Sequence, residues 1–321
     1  MLKKLSYLLL IVFLLWGCGN RARTEAGSSK YIFAALKGPS SIGMIRMIDS
    51  LNRGTGHSVE VRILNEPLQV RKMMLDGSAD FAILPTTMAA IMYNKGIKYN
   101  LIGVPVWGTL YLAGSGAGIY RWEDLKGKRI YVMARGMTPD VMLRYLLKEN
   151  GIDPARDVKL DYSFPTHIDL ANAVAAGQAP LAVVSEPLAS LVITRNQDIR
   201  RIFDLEEEWK KLGDIAVAET AFLGSESIIR NDRETVERIV KAYARSTGWV
   251  NQHPDSAAVL IVKYGILPDS AVAVSAIKGS HLKFVLAYEA QKEVEDYLNV
   301  FYKLNPEIVG GKLPDENFIY R

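Results

Sequence analysis

The chain is poor in the residues that carry most enzyme chemistry. Its 321 residues include a single cysteine, Cys18, which excludes a disulfide within the chain and a thiolate metal cluster. Four histidines, His57, His167, His253 and His281, are scattered without metal-ligand spacing, so neither a metal nor a cofactor is expected. There is no nucleophile elbow and no phosphate-binding loop. Gly114-Ser-Gly116-Ala-Gly118 lacks the spacing and the following helix of a dinucleotide fingerprint and reads as a flexible connection. Strong charge of one sign is also missing. The formal charge is +4, half of it from Lys3 and Lys4, and no basic patch carries interleaved aromatics, so nucleic acid is not an expected partner. No apolar run reaches the roughly 20 residues of a membrane-spanning helix.

What the chain does have begins with a targeting segment. Lys3 and Lys4 precede a near-continuous apolar run, Leu5 to Trp16, which predicts a signal peptide over residues 1–17. The run ends at Leu15-Trp16-Gly17-Cys18. This tetrapeptide resembles the bacterial lipobox, which implies lipidation of Cys18. Residues 18–29, small and polar, then read as a lipidated flexible tether. The expected result is an exported, membrane-anchored lipoprotein of the cell envelope, in the periplasm or at the cell surface.

From Tyr31 to Gly213, short apolar runs alternate with amphipathic stretches, the pattern of βαβ units and mostly parallel sheets. Strands are predicted at Tyr31–Leu36, Val59–Leu64, Phe81–Leu84, Ile130–Met133 and Ile215–Phe222. Helices are predicted at Ile42–Asn52, Pro67–Asp76, Pro139–Glu149 with Thr138 as N-cap, Glu234–Asn251, Ala257–Val262 and Lys283–Phe301. Gly38-Pro39-Ser40-Ser41 reads as a turn.

The plan repeats internally. Lys37-Gly38-Pro39-Ser40 falls on Arg135-Gly136-Met137-Thr138, placing Ile32 on Ile130, Met44 on Met142 and Arg46 on Arg144. Leu75–Leu84 likewise resembles Ala175–Val184, so that Thr86 falls on Glu186. Two lobes follow: 30–110 with 215–321, and 111–214. The chain would cross between them near Trp107–Gly116 and again near Gly213–Phe222. Ligands of open parallel sheets sit beyond the carboxyl ends of the strands. Two facing lobes would thus aim helix N-termini, with free N–H groups and partial positive charge, at one solute.

With these residues in view, the chain resembles the periplasmic solute-binding proteins of ABC importers. It is most similar to the branch of sulfonate, taurine, nitrate and thiamine-precursor binders. The carriers are Trp122-Glu-Asp-Leu-Lys-Gly-Lys-Arg-Ile130, Thr138-Pro-Asp-Val-Met-Leu-Arg-Tyr-Leu-Leu147, Gly151-Ile-Asp-Pro154, Ser185-Glu186-Pro187 and Leu313-Pro-Asp-Glu-Asn-Phe-Ile-Tyr320. The resemblance implies a type II periplasmic-binding-protein fold: α/β, two lobes, each a mixed, mostly parallel sheet flanked by helices, with two crossover strands as hinge. It implies a small-molecule solute, ABC permease and ATPase subunits as partners, and a monomer. A sensing or partner-binding lipoprotein without transport, or an enzyme on the same fold, stands as the alternative.

The expected ligand-binding residues lie on the loops at the strand ends. They are Gly38, Pro39, Ser40, Ser41, Asn65, Thr86 and Thr87 in the first lobe and Gly136, Met137, Thr138 and Glu186 in the second, with Trp107 at the crossing. Glycines admit backbone amides to a ligand, and hydroxyls give adaptable donors. Two roles stay open for several of them. The hydroxyls either meet the solute or simply cap helices. Trp107 either stacks on a planar solute or fills the core. Glu186 either receives an amine, as an aminopyrimidine would offer, or pairs with a base of the protein. Lys37 and Arg135 favour an anion such as a sulfonate unless they only face water.

Overall fold

A computed structural model describes residues 31–54, 59–115, 118–133, 135–213 and 215–321. The predicted signal peptide, tether and Cys18 lie outside the described residues.

The chain opens with strand β1 (Tyr31–Leu36), helices α1 (Pro39–Gly43) and α2 (Ile45–Arg53), β2 (Val59–Leu64), α3 (Pro67–Leu75), β3 (Phe81–Pro85), α4 (Thr86–Asn94) and β4 (Tyr99–Val106). The second lobe holds β5 (Leu110–Gly114), β6 (Arg129–Tyr131), α5 (Thr138–Glu149), β7 (Lys159–Asp161), α6 (His167–Ala175), β8 (Leu181–Ser185), α7 (Leu188–Arg195), β9 (Arg200–Asp204) and α8 (Leu205–Lys210). The chain then returns through β10 (Thr220–Ser225), α9 (Glu226–Asn231), α10 (Arg233–Gln252), α11 (Pro254–Lys263), α12 (Ser270–Gly279), β11 (Leu282–Leu286) and α13 (Gln291–Leu304).

Two mixed sheets result, one six-stranded in the order β11-β4-β10-β3-β1-β2 and one five-stranded in the order β7-β6-β8-β5-β9. In each, three strands run parallel: β2-β1-β3 in the first and β7-β6-β8 in the second. Each trio is followed by one antiparallel strand, β10 beside β3 and β5 beside β8. These two antiparallel strands are the ones the chain enters directly after crossing between the sheets. The internal repeat of the sequence therefore corresponds to a repeat of topology, β1 with β6 and β3 with β8.

Sequence and structure differ in several places. The helix expected over Ile42–Asn52 is broken at Met44 (φ −92°, ψ 6°). The hydroxyl of Ser246, on α10, donates to the Gly43 carbonyl and accepts from the amides of Arg46 and Met47, replacing helical bonds. Gly38-Pro39-Ser40-Ser41 is accordingly the entry to α1 rather than a free turn. Thr138 is the first residue of α5, and Met137 occupies the cap. The segment from Lys283, read as helix, begins as strand β11, an edge strand paired with β4. Helix α12 had no counterpart in the sequence reading. The strand expected over Ile215–Phe222 starts later, at Thr220, because residues before it form the second crossing.

The first lobe is fixed by aromatics. Phe33 stacks on Phe222 at 5.2 Å, and Phe81 and Tyr243 lie 5.8 Å from Phe222, all fully buried. Each such ring adds contact geometry worth about 1 kcal/mol beyond its area. Tyr243 also donates from its hydroxyl to the Ser40 carbonyl at 2.9 Å. Core packing thus sets the position of the first loop that faces the second lobe.

Candidate functional site

The two lobes meet around the ends of β1, β3, β6 and β8, beyond the carboxyl ends of the parallel strands. Gly38 is held at φ 155°, and a Cβ there would stand 3.9 Å from Pro187 Cδ, so this loop lies against the second lobe. Thr87, in the first turn of α4, and Thr138, in the first turn of α5, approach across the boundary with Oγ1 atoms 3.2 Å apart. Two helix N-termini from opposite lobes therefore converge, each with unpaired N–H groups and a partial positive charge.

Behind this pair lies a group of buried polar atoms. Thr86 donates its amide to the Glu219 carbonyl at 2.9 Å, while its hydroxyl is buried without a partner. Thr109, on the first crossing, donates to Glu219 Oε1 at 2.7 Å. Glu219 is half-buried as a residue, yet its Oε2 is sealed from solvent and unpaired. Burial, partly offset by the Thr109 bond and increased by the charge of Glu206, pushes its carboxyl up to about 7. Tyr297 on α13 completes the group. Its hydroxyl faces Glu219 and Thr138 without a well-formed hydrogen bond, and burial raises its pKa well above the ordinary phenol value. A buried polar atom left unpaired costs about 1–3 kcal/mol, so Thr86 Oγ1, Glu219 Oε2 and the Tyr297 hydroxyl are candidate partners for a bound group. Thr86 and Tyr297 both lie against Glu219, which meets Thr109 of the first crossing.

The other expected residues fall in different places. Ser41 exchanges bonds with Gly38, its hydroxyl accepting from the Gly38 amide at 3.0 Å and donating to the carbonyl at 2.9 Å. Ser40 donates to the Leu36 carbonyl at 3.3 Å. Both hydroxyls thus cap the backbone, and Pro39 begins α1. Gly136 (φ 78°) donates its amide to Asp140 at 2.8 Å, and Met137 is 44% exposed. Asn65 stands exposed at the end of β2, its amide bonded to Gln69. Trp107 donates from its ring to the Lys283 carbonyl at 2.7 Å, pinning β11 to the first crossing.

Glu186 is fully buried and already engaged. Arg201 donates to one oxygen, and the Ser190 amide donates to the other at 3.2 Å. Burial raises its pKa, with Arg201 acting against that rise. Ser190 reaches Ser275 on α12 at 2.9 Å, and Tyr111 donates to the Gly279 carbonyl at 2.5 Å. Glu186 therefore sits in a polar seam between the lobes, its carboxylate paired with Arg201. Trp209 of the second lobe packs on Tyr297 and Phe301 of the first, with centroids 6.3 and 6.1 Å apart, and closes another side of the boundary.

Sequence reasoning missed Thr109, Glu219 and Tyr297. For Glu219 a signal existed: an acid inside the apolar run from Val217 to Phe222. Tyr297 sits in an amphipathic helix where nothing separates it from an ordinary core residue.

The family described as ABC transporter, phosphonate, periplasmic substrate-binding protein matches residues 43–240. A relative from Bacillus subtilis (strain 168), YtlA, is 24% identical over 184 residues, 56% of this chain; the match spans about half, 53%, of that relative's length. The crystal structure of an ABC transporter from Parabacteroides distasonis is 27% identical with a TM-score of 0.79, over 92% of this chain and 99% of that one. The periplasmic aliphatic sulphonate binding protein SsuA from Escherichia coli shares the fold at 16% identity, with a TM-score of 0.70 over 92% and 93% of the two chains.

Proposed function

The chain belongs to the phosphonate family of ABC-transporter periplasmic substrate-binding proteins, and on that premise we propose that it captures a small anionic organic solute, of the phosphonate or sulfonate kind, between its lobes and delivers it to a membrane permease and its ATPase. The observation that carries this reading is the meeting of Thr87 and Thr138 across the lobe boundary. Two first turns supply amides and hydroxyls to one point, a setting suited to an oxyanion head group. Glu219, Thr86 and Tyr297 lie behind it as partners for the solute's remaining polar groups. The anionic reading is preferred to an aminopyrimidine held by Glu186, since Arg201 occupies that carboxylate.

The proposal includes the anchor. Cys18 carries the lipid, and residues 18–29 tether the body to the membrane surface. None of the described helices is long and apolar enough to cross a membrane. Cys18→Ser should move the protein from the membrane to the soluble fraction; unchanged fractionation would refute lipidation.

A thermal-shift panel tests the solute class. Methylphosphonate, ethanesulfonate, taurine, nitrate, a 4-aminopyrimidine and thiamine are each added to the purified protein. A ligand at 1,000 times its dissociation constant adds about 4 kcal/mol of stability. A shift confined to the phosphonate or sulfonate compounds supports the proposal. A shift with the aminopyrimidine or thiamine alone would replace it, and no shift at all would favour a sensor or partner-binding lipoprotein.

A further inference from the structure

His281 lies in the turn between α12 and β11, in the first lobe, yet its ring sits between two carboxylates of the second. Nε2 is 3.1 Å from Asp204 Oδ2, and Nδ1 is 3.0 Å from Glu206 Oε2. A carboxylate has no proton to offer, and a neutral imidazole donates from one nitrogen only. Both contacts are therefore attractive only when the ring is an imidazolium. The Glu206 contact is out of line for a hydrogen bond, so it acts through charge.

Everything around the ring is positioned by other interactions. Asp204 caps α8, accepting from the amides of Glu206 and Glu207. Glu206 is 3% exposed and takes Lys210 Nζ at 2.9 Å on its other oxygen. The backbone of His281 is tied to the first crossing, its carbonyl accepting from Trp107 at 3.0 Å and its amide donating to Gly108 at 3.3 Å. Gly108 has φ 135°, and a Cβ there would stand 2.5 Å from Glu206 Oε2. A glycine is thus needed for the carboxylate to reach the histidine.

We propose that His281 is a proton-operated latch between the lobes: protonated, it holds the cleft closed, and deprotonated, it lets the cleft open. The donors of Asp204, Glu206 and His281 also lie within 4.8 Å of one another. A cation site is not the reading, because the two ring nitrogens face different carboxylates and the imidazolium and Lys210 already balance both charges.

The charged groups facing the ring are Asp204 from β9, Glu206 and Lys210 from α8, and Glu219 from the second crossing. Lys278 and Lys283 line the same open cavity of about 470 Å³, which gives the ring access to solvent protons. The Asp204 bond, against burial and with the charge of Glu206, raises His281 above its ordinary 6.5. An open form with an ordinary histidine binds its proton less tightly. Closure is therefore favoured below about 6.5 and fades as pH rises through the raised value. At the acid end the limit is Asp204, whose carboxyl, against burial, the His281 bond holds below its ordinary value, so closure is lost as pH falls and that anion is protonated. The latch is tightest in the mildly acidic window between these titrations.

The test needs no solute, so its outcome is independent of the solute class proposed above. The full chain with Cys18→Ser carries spin labels at Lys72→Cys on α3 and Lys148→Cys on α5, both exposed, one in each lobe. Pulsed electron resonance should show one short distance at pH 6 and a longer second population that grows at least fivefold by pH 9. His281→Gln should abolish the difference between the two pH values. If that variant does not fold, His281→Lys, a fixed cation, should hold the short distance up to pH 9. A wild-type distribution that does not change with pH, or a change that survives either substitution, would overturn the latch.

Discussion

Thr87 and Thr138, 51 residues apart in sequence, bring their hydroxyls to 3.2 Å across the boundary between two lobes. Since Met137 rather than Thr138 caps α5, the Thr138 hydroxyl has no duty toward its own helix. Replacing it should affect binding and leave folding nearly alone. Thr138→Val is expected to change stability by less than about 1 kcal/mol, the usual value of a lost cap. It should weaken the compound that gives the largest thermal shift at least about tenfold, or roughly 1.4 kcal/mol. Calorimetric titration and urea unfolding of the same preparations separate the two. Equal affinities would remove the second lobe's helix from the site.

The buried carboxyl of Glu219 makes a claim about pH. Its pKa rises from 4.5 to about 7, chiefly through burial. A carboxyl raised in the folded state costs nothing while protonated in both states. The cost begins above its unfolded value and is complete once pH passes the folded one. Glu219→Gln keeps the acceptor for Thr109 and removes the charge. The variant and the wild type should have equal Tm near pH 4.5 and diverge up to pH 7. Above that the variant should be more stable by about 3 kcal/mol. Parallel Tm curves from pH 4.5 to 8 would show that water or another group satisfies the carboxylate.

Much of this arrangement was legible in the sequence because it depends on local pattern. The register that laid Ile32 on Ile130 and Gly77 on Gly177 found β1 with β6 and β3 with β8. Both glycines close helices at positive φ (71° and 74°), which an L side chain rarely adopts. Two facing lobes were expected to aim helix N-termini at one point, and the hydroxyls of Thr87 and Thr138 meet there. What stayed hidden depends on partners far along the chain. The break at Met44 is made by Ser246, some 200 residues later. The strand Leu282–Leu286 is a strand because β4 offers it an edge; its own apolar run continues into α13 without a visible boundary. Glu186 follows an apolar strand, and Glu219 interrupts an apolar run. Only tertiary packing gives the first a guanidinium and leaves the second without one.

That contrast yields the last prediction. Glu186 has 0% side-chain exposure and takes Arg201 on one oxygen and the Ser190 amide on the other. Arg201 also donates to Ser190 Oγ at 2.7 Å and lies 4.9 Å over the Tyr111 ring, with 28% of its side chain exposed. Arg201→Leu removes the cation and leaves a buried anion with one amide for company. Breaking a buried pair costs about 3–5 kcal/mol, less where one partner is partly solvated, so roughly 2–3 kcal/mol is expected at pH 8. The carboxyl is already raised by burial and would rise further without Arg201. The loss should therefore shrink towards pH 4, where Glu186 is protonated in both folded and unfolded states. Urea midpoints at pH 4 and pH 8 measure this directly. Adding Glu186→Gln to Arg201→Leu should recover most of the stability at pH 8 and make the loss independent of pH. A loss of equal size at both pH values would mean that Arg201 acts through packing on Tyr111 and not through its charge.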